Sequence, residues 1–179
     1  IAVALCVAKA TEALGCRPEK IQALLSANIL KNAMGVGIPG TGMIGLPIAI
    51  ALGALIGKSE YQLEVLKDST PEAVEEGKKL IDTQAINIGL KYGIEEKLYI
   101  EIICEAEGKK STAIISGGHT NFVYVAHGEE VLVNKQAASS NEATSDDVEL
   151  TLRKVYDFAM ETPIEELKFI LETRNLNKQ

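Results

Sequence analysis

With 179 residues, 46% of them apolar, the chain is long enough to bury a core as one large domain or two small ones. Its 18 basic and 25 acidic residues leave a net charge of -7, which repels nucleic acid and anionic lipid unless a basic patch intervenes, and none is evident. With no Trp and 4% aromatic residues there is also no stacking platform for a single strand, so no nucleic-acid partner is expected.

Residues Ile1–Leu14 carry Ala, Val and Leu around most of the helical wheel, with Lys9 and Glu12 on one side, and predict a mostly buried helix ended by Gly15. The chain opens inside an apolar pattern without the basic start of a signal peptide, and Arg174–Gln179 stops without a closing element. A fragment is therefore expected. Between Pro18 and Ile29 the apolar residues suit either a strand at Ile21–Ser26 or a short helix, and the strand is preferred. The run Asn32–Gly45 holds five glycines and a proline, a density that predicts a loop. Leu46–Ile56 then reads as a buried helix, with Pro47 in its first turn and Gly57 as its cap.

Composition turns mixed and charged at Lys58. Ser69, Thr70 and Pro71 start a helix whose first turns carry Glu72, Glu75 and Glu76, running to Ile81 with the acids on a solvated face. Alternation predicts strands at Ala85–Lys91, Leu98–Ala106, Ser111–Ser116, Phe122–Ala126 and Val131–Asn134, closely enough spaced for an antiparallel meander, with Gly108 and Gly128 in hairpin turns. Gln136–Asp147 reads as a polar linker, followed by helices at Val148–Met160 and, after Thr162 and Pro163, at Ile164–Glu172. The expected class is α+β: a helical domain with a small inserted antiparallel sheet lobe of one helix and a four- or five-stranded meander. Residues 1–57 form a helical segment with a glycine-rich loop, 58–135 the inserted lobe, and 136–179 the return to the helical domain.

The 26 residues Asn32–Gly57 carry no charge and suggest a membrane protein. Seven glycines and two prolines interrupt them, however, and the helical part falls short of the ~20 residues a bilayer requires, so a buried helix and no membrane partner are expected. The same run repeats the dinucleotide spacing GxGxxG, at Gly35, Gly37, Gly40 and at Gly40, Gly42, Gly45, with Glu60 downstream as a ribose ligand. A nucleotide-binding module is thus a rival reading, weakened by Pro39 at the end of the incoming strand and by the antiparallel lobe that follows. No Lys-Ser or Lys-Thr pair follows the glycines, which excludes a Walker-type loop.

Glycine-rich backbone can converge N–H groups on an anion such as a small carboxylate. Ser26, Asn28, Lys31 and Asn32 stand directly before this loop, where a lysine could hold the carboxylate or act as a base. Gly117, Gly118, His119, Thr120 and Asn121 make a second polar point between two strands, where His119 suits either a turn or a proton-transfer role. Cys6, Cys16 and Cys104 are widely spaced without CxxC pairing and read as reduced, buried thiols of a cytoplasmic protein.

Ser26–Gly45, SANILKNAMGVGIPGTGMIG, resembles the signature of the L-cysteine desulfidase group within the iron-sulfur L-serine dehydratase alpha-chain family. The likeness continues through LPIAIALGALIG and LEVL to the GGHTN turn. It implies a parent lyase that removes the β-substituent of cysteine or serine, giving pyruvate and ammonia with sulfide or water. It also implies a four-iron four-sulfur cluster as Lewis acid in that parent. Carried over, Lys31 and His119 would be catalytic, and Ser26, Asn28, Asn32, Gly40, Thr41, Gly42 and Thr120 would bind substrate. The family's cysteine motifs are not matched by Cys6, Cys16 or Cys104, so no metal ligand is assigned and neither a cluster nor elimination is expected of this fragment alone. The expected partners are a small amino acid and the remainder of the parent chain, with a homo-oligomer open. A carboxylate-binding module without catalysis is the non-enzymatic alternative.

Overall fold

The computed structural model describes residues 1–38, 40–135 and 151–177, in two compact units, Ile1–Ala138 and Ser139–Gln179. The first unit contains α1 (Ala2–Leu14), β1 (Lys20–Leu25), α2 (Ala27–Ala33), β2 (Gly37–Ile38), β3 (Met43–Ile44), α3 (Leu46–Leu55), a 3-10 turn (Ser59–Glu64) and α4 (Pro71–Asp82). Five strands follow: β4 (Ile86–Leu90), β5 (Tyr99–Ala106), β6 (Lys109–Ser116), β7 (Phe122–His127) and β8 (Glu130–Asn134). The second unit holds α5 (Leu152–Glu161) and α6 (Phe169–Leu176).

The α+β class is borne out, with a six-stranded sheet in the order β4-β1-β5-β6-β7-β8. The expected meander is the antiparallel run β5–β8. Two further strands make the sheet mixed: β1 lies between β4 and β5, parallel to the first and antiparallel to the second. Local spacing suggested that β4 would neighbour β5, but β1, from much earlier in the chain, separates them. Period-2 alternation places Ile21, Ala23 and Leu25 of β1 beside Ile100, Ile102 and Cys104 of β5 on one buried face. That face receives α1, whose Ser111 contact is a hydrogen bond from Ser111 Oγ to Ala10 O (2.7 Å). Residues on both sides of position 57 therefore build one core.

The charge-free segment forms the buried helix α3, packed between α1 and α4. Among the described residues no helix is long and apolar enough to cross a membrane. Gly53 explains how two such apolar helices approach: a Cβ there would lie 2.6 Å from the Ala4 carbonyl oxygen. One turn on, a Cβ at Gly57 would lie 2.7 Å from Ala8 Cβ. The contacts advance in the same direction along α1 and along α3 with the residues just past it, so the two helices run the same way, and the first turns of both reach one cavity. Gly57 is accordingly a packing position, and the C-cap is Ile56.

Other boundaries follow their local chemistry. Gly15 ends α1 at φ 78°, and Thr70 caps α4, accepting from Ala73 N at 3.2 Å. Gly108 (φ 71°) and Gly128 (φ 59°) make the two hairpin turns as expected. The glycine run is more regular than a loop: Asn32 and Ala33 close α2, and β2 and β3 pair as a short hairpin. In the second unit α6 begins at Phe169, because residues 164–168 form turns instead of the expected helix from Ile164. Pro39, the linker Gln136–Asp147 and a helix start at Val148 lie outside the described residues.

The close approach at Gly53 sets up a test. Alanine gains about 1 kcal/mol of helix propensity over glycine, but a methyl driven against backbone costs about 1–3 kcal/mol. Gly53→Ala should therefore lower the unfolding midpoint in denaturant melts. Gly35→Ala, where a Cβ meets nothing within 4 Å, should leave it within error of the parent.

Candidate functional site

Ser26 is where β1 becomes α2. Its side chain is buried at 4% exposure and is fully engaged: Oγ donates to Lys97 O (2.8 Å) and accepts from Ile29 N (3.4 Å) and Tyr99 N (3.4 Å). The first acceptance is an N-cap, the reason that a helix starts here. Ser26 therefore faces the start of β5. Asn28 and Lys31 are exposed on α2, and Asn32 donates from Nδ2 to Asn28 Oδ1 (3.3 Å), which orients its amide.

Gly40, Thr41 and Gly42 form the tip of the β2–β3 hairpin, with φ 75° at Gly40 and 64° at Gly42. Thr41 is the internal brace of that tip. Its Oγ1 donates to Ile38 O (2.7 Å) and accepts from Met43 N (3.0 Å), and its own N–H donates to Ile38 O (3.2 Å). Gly45 N closes the hairpin base on Val36 O (2.9 Å). These bonds leave less of the loop backbone to act as an anion nest than the sequence suggests.

The predicted residues that do meet are Asn32 and His119. They face a cleft of about 220 Å³ lined by Ala2 and Val3 of α1, Gly45, Leu46 and Ala49 at the start of α3, Val36 and Ile38 of the hairpin, and Ile100 of β5. His119 reaches it because the β6–β7 turn is pinned in place. Gly117 N donates to Leu98 O (3.0 Å), Asn121 N to Gly118 O (3.2 Å), and Asn121 Nδ2 to Ser116 O (2.9 Å). Thr120 is exposed in the same turn and does not line the cleft. The first turn of α3, which has no side-chain cap, opens on the cleft, and its positive dipole end favours a negative group there. Ile100 and Leu46 were missed by sequence reasoning, which treats such apolar residues as core. Only the β1–β5 pairing places Ile100 beside α2.

A wider groove of about 440 Å³ lies at the opposite end of the sheet, lined by Glu19, Gln22, Gln84, Asn87 and Glu105 among others. It contains none of the predicted residues. The smaller cleft is the better candidate, because separate chain segments converge there on a partly apolar concavity beside a helix start.

The GxGxxG glycines lack the context that nucleotide binding needs. They belong to an antiparallel two-residue hairpin, where a dinucleotide site requires a strand feeding a helix and a parallel return strand. The cysteines likewise do not fit an iron-sulfur cluster. Cys6 is buried with Sγ 3.3 Å from Ala113 O, Cys104 is buried 4.0 Å from Thr11 Oγ1, and Cys16 is half-buried beyond α1. Among the described residues no three His, Cys, Asp or Glu side chains group as metal ligands. Burial pushes the Cys104 thiol up to about 12, and burial also holds Cys6 well above its ordinary value, with the neighbouring Cys104 adding to it.

Fold and cleft together define an α+β domain with a small, partly apolar concavity at one end of its sheet. The chain is similar to UPF0597 proteins. It is 76% identical over 178 residues to one from Phocaeicola vulgatus, an overlap of 99% of this chain and 41% of that protein. It is 75% identical over 179 residues to one from Bacteroides fragilis, covering 100% of this chain and 42% of the relative. It is 38% identical over 181 residues to one from Aeromonas hydrophila, covering 99% and 41%. The chain spans about two fifths of the length of these relatives. No family model and no solved structure matches it.

Cysteine reactivity checks the packing around α1. At pH 8 a small alkylating agent should modify Cys16 first, while Cys6 and Cys104 react only on unfolding. Because the folded Cys104 thiol holds its proton more tightly than the unfolded one, its contribution to stability is complete below pH 9.0 and is lost as pH rises toward about 12. Rapid native labelling of Cys104 would contradict the packing of α1 on the sheet.

Proposed function

We propose that the full-length protein is a cytoplasmic lyase that eliminates the β-substituent of L-cysteine or L-serine, and that this chain supplies part of its substrate site. The observation carrying this reading is the meeting of Asn32, from the SANILKN segment, with His119, from the GGHTN turn, at one cleft. Both segments belong to the resemblance that implies such a lyase, and they are far apart in sequence.

The chemistry requires loss of the Cα proton, cleavage of the Cβ–S or Cβ–O bond, and hydrolysis of the resulting enamine-derived imine to pyruvate and ammonia. An imidazole suits the proton transfers near neutral pH, and His119 is the residue of the cleft able to act so. The Asn32 amide and the first turn of α3, both at the cleft, would hold the substrate carboxylate. Lys31 is exposed in the last turn of α2, where it would help attract the carboxylate rather than take the proton. The iron-sulfur cluster that the resemblance implies would supply Lewis acidity to the departing group. This chain's cysteines do not fit it, so its ligands would come from the part of the protein outside these residues.

The test is anaerobic reconstitution of the full-length protein with iron and sulfide, followed by assays for pyruvate, ammonia and released sulfide. Turnover of cysteine or serine is expected, and His119→Ala should reduce kcat/KM by about 10²–10⁴-fold, the range typical of a lost general acid or base. Asn32→Ala should act mainly on KM. NAD should leave the melting temperature unchanged. Failure of the reconstituted protein to form pyruvate from either amino acid overturns the reading. Heat of binding without turnover would instead favour a carboxylate-binding module.

A further inference from the structure

The helix that carries Asn32 into the cleft has little to hold it. It is seven residues long and has no fully buried residue; Ile29, Leu30 and Ala33 are only half-buried against the core. A helix this short is unstable on its own. Its placement therefore depends on the junction that precedes it, Leu25–Ser26.

That junction is gripped from two sides. Lys91, just past β4, donates its main-chain N–H to Leu25 O (2.8 Å). Tyr99, at the start of β5, accepts from Ser26 N at its carbonyl (3.0 Å) and donates its own N–H to Ser26 Oγ (3.4 Å). The side chains of the same two residues then meet on the sheet face opposite α1. Lys91 Nζ (2.6 Å) and the Tyr99 hydroxyl (2.9 Å) both donate to Glu101 Oε2. Glu101 sits in register between Leu24 of β1 and Ile114 of β6, and its side chain is only 12% exposed. Burial and the Glu101 carboxylate keep the Tyr99 phenol above its usual range, so it remains a donor.

A largely buried ion pair is weak evidence for stability, since apolar residues of similar volume often serve as well. What an apolar pair could not do is fix Lys91 and Tyr99 at hydrogen-bonding distance from one carboxylate. The geometry points to Glu101, with Lys91, Tyr99 and Ser26, as a positioning clamp: it sets where β1 ends and α2 begins, and so holds Asn32 at the cleft. Ser26 thereby acts through α2 and does not touch substrate. The catalytic side of this inference rests on the lyase reading, whereas the clamp itself does not.

Hydrogen exchange of the full-length protein separates the two. In Glu101→Ala and Ser26→Ala, amides of Ala27–Ala33 should exchange about tenfold faster or more, while β6 and β7 keep their protection, because a lost cap or buried partner opens the local unit first. Ser26→Thr, which keeps the hydroxyl, should restore slow exchange. Tyr99→Phe removes one donor only and should shift the same amides less, giving a reading if Glu101→Ala does not fold. Where the wild type turns over, Glu101→Ala should raise KM more than it lowers kcat. Unchanged exchange in α2, or a uniform rise across the sheet, overturns the clamp. Absence of turnover in the wild type overturns the lyase reading and leaves the exchange result to judge the clamp alone.

Discussion

The contact between Gly53 and the main chain of Ala4 governs the rest of the first unit. Without a side chain at that position two apolar helices lie backbone to backbone, and the onward contact of Gly57 with Ala8 shows that they run the same way. Parallel packing brings the first turns of α1 and α3 to one end of the sheet. The same end receives the close of β1, the start of β5 and the β6–β7 turn. The cleft is what remains among these pieces. It owes its position to helix packing, and its polar groups to the turns gathered around it.

The same contact explains why a charge-free stretch can be interior. In α3 eight of the ten residues are buried, and nine of thirteen in α1, so α3 has no polar face to show to water and α1 only the narrow one that carries Lys9 and Glu12. Such helices need cover on most sides. The sheet, α1, α3 and α4 supply it: α1 lies on β5 and β6, and α3 packs against α1, α4 and the β4 edge of the sheet. The opposite face of the sheet carries Glu101 and Tyr99, joined there by Lys91.

Much of this was legible locally. Gly15, Thr70, Pro71, Gly108 and Gly128 act through their own backbone preferences, so they marked ends and turns correctly. Alternation marked β4 to β8, whereas for β1 the apolar residues suited either a strand or a short helix, with the strand preferred. What sequence could not convey was adjacency: β1 pairs with strands far along the chain, and no local pattern records that. The same limit affected the site. Ser26 looks like a ligand-binding residue in sequence because its hydroxyl's partners, Lys97 and Tyr99, are distant in the chain. Thr41 likewise looks available until the hairpin closes on it. Glycines and hydroxyls needed to shape a site read the same as those that touch a ligand. Asn32 and His119 stand out in the sequence as polar residues in unusual settings, but their convergence on one cleft depends on the long-range pairing.

The make-up of the cleft also bears on which end of an amino acid it would take. Its polar contributors are an amide, an imidazole and a helix N-terminus, groups that favour a carboxylate. None of the described residues lining it is acidic, so no carboxylate there would pair with an ammonium group. Under the lyase reading the substrate would therefore lie with its carboxylate toward α3 and its ammonium and β-substituent toward the mouth. Under the same reading a Lewis acid would have to reach the departing sulfur or oxygen at the mouth, whereas Cys6 and Cys104 are buried between α1 and the sheet. Under the proposed lyase reading, carboxylate recognition and attack on the β-substituent would then fall to opposite sides of the substrate, with the residues of this chain serving the first.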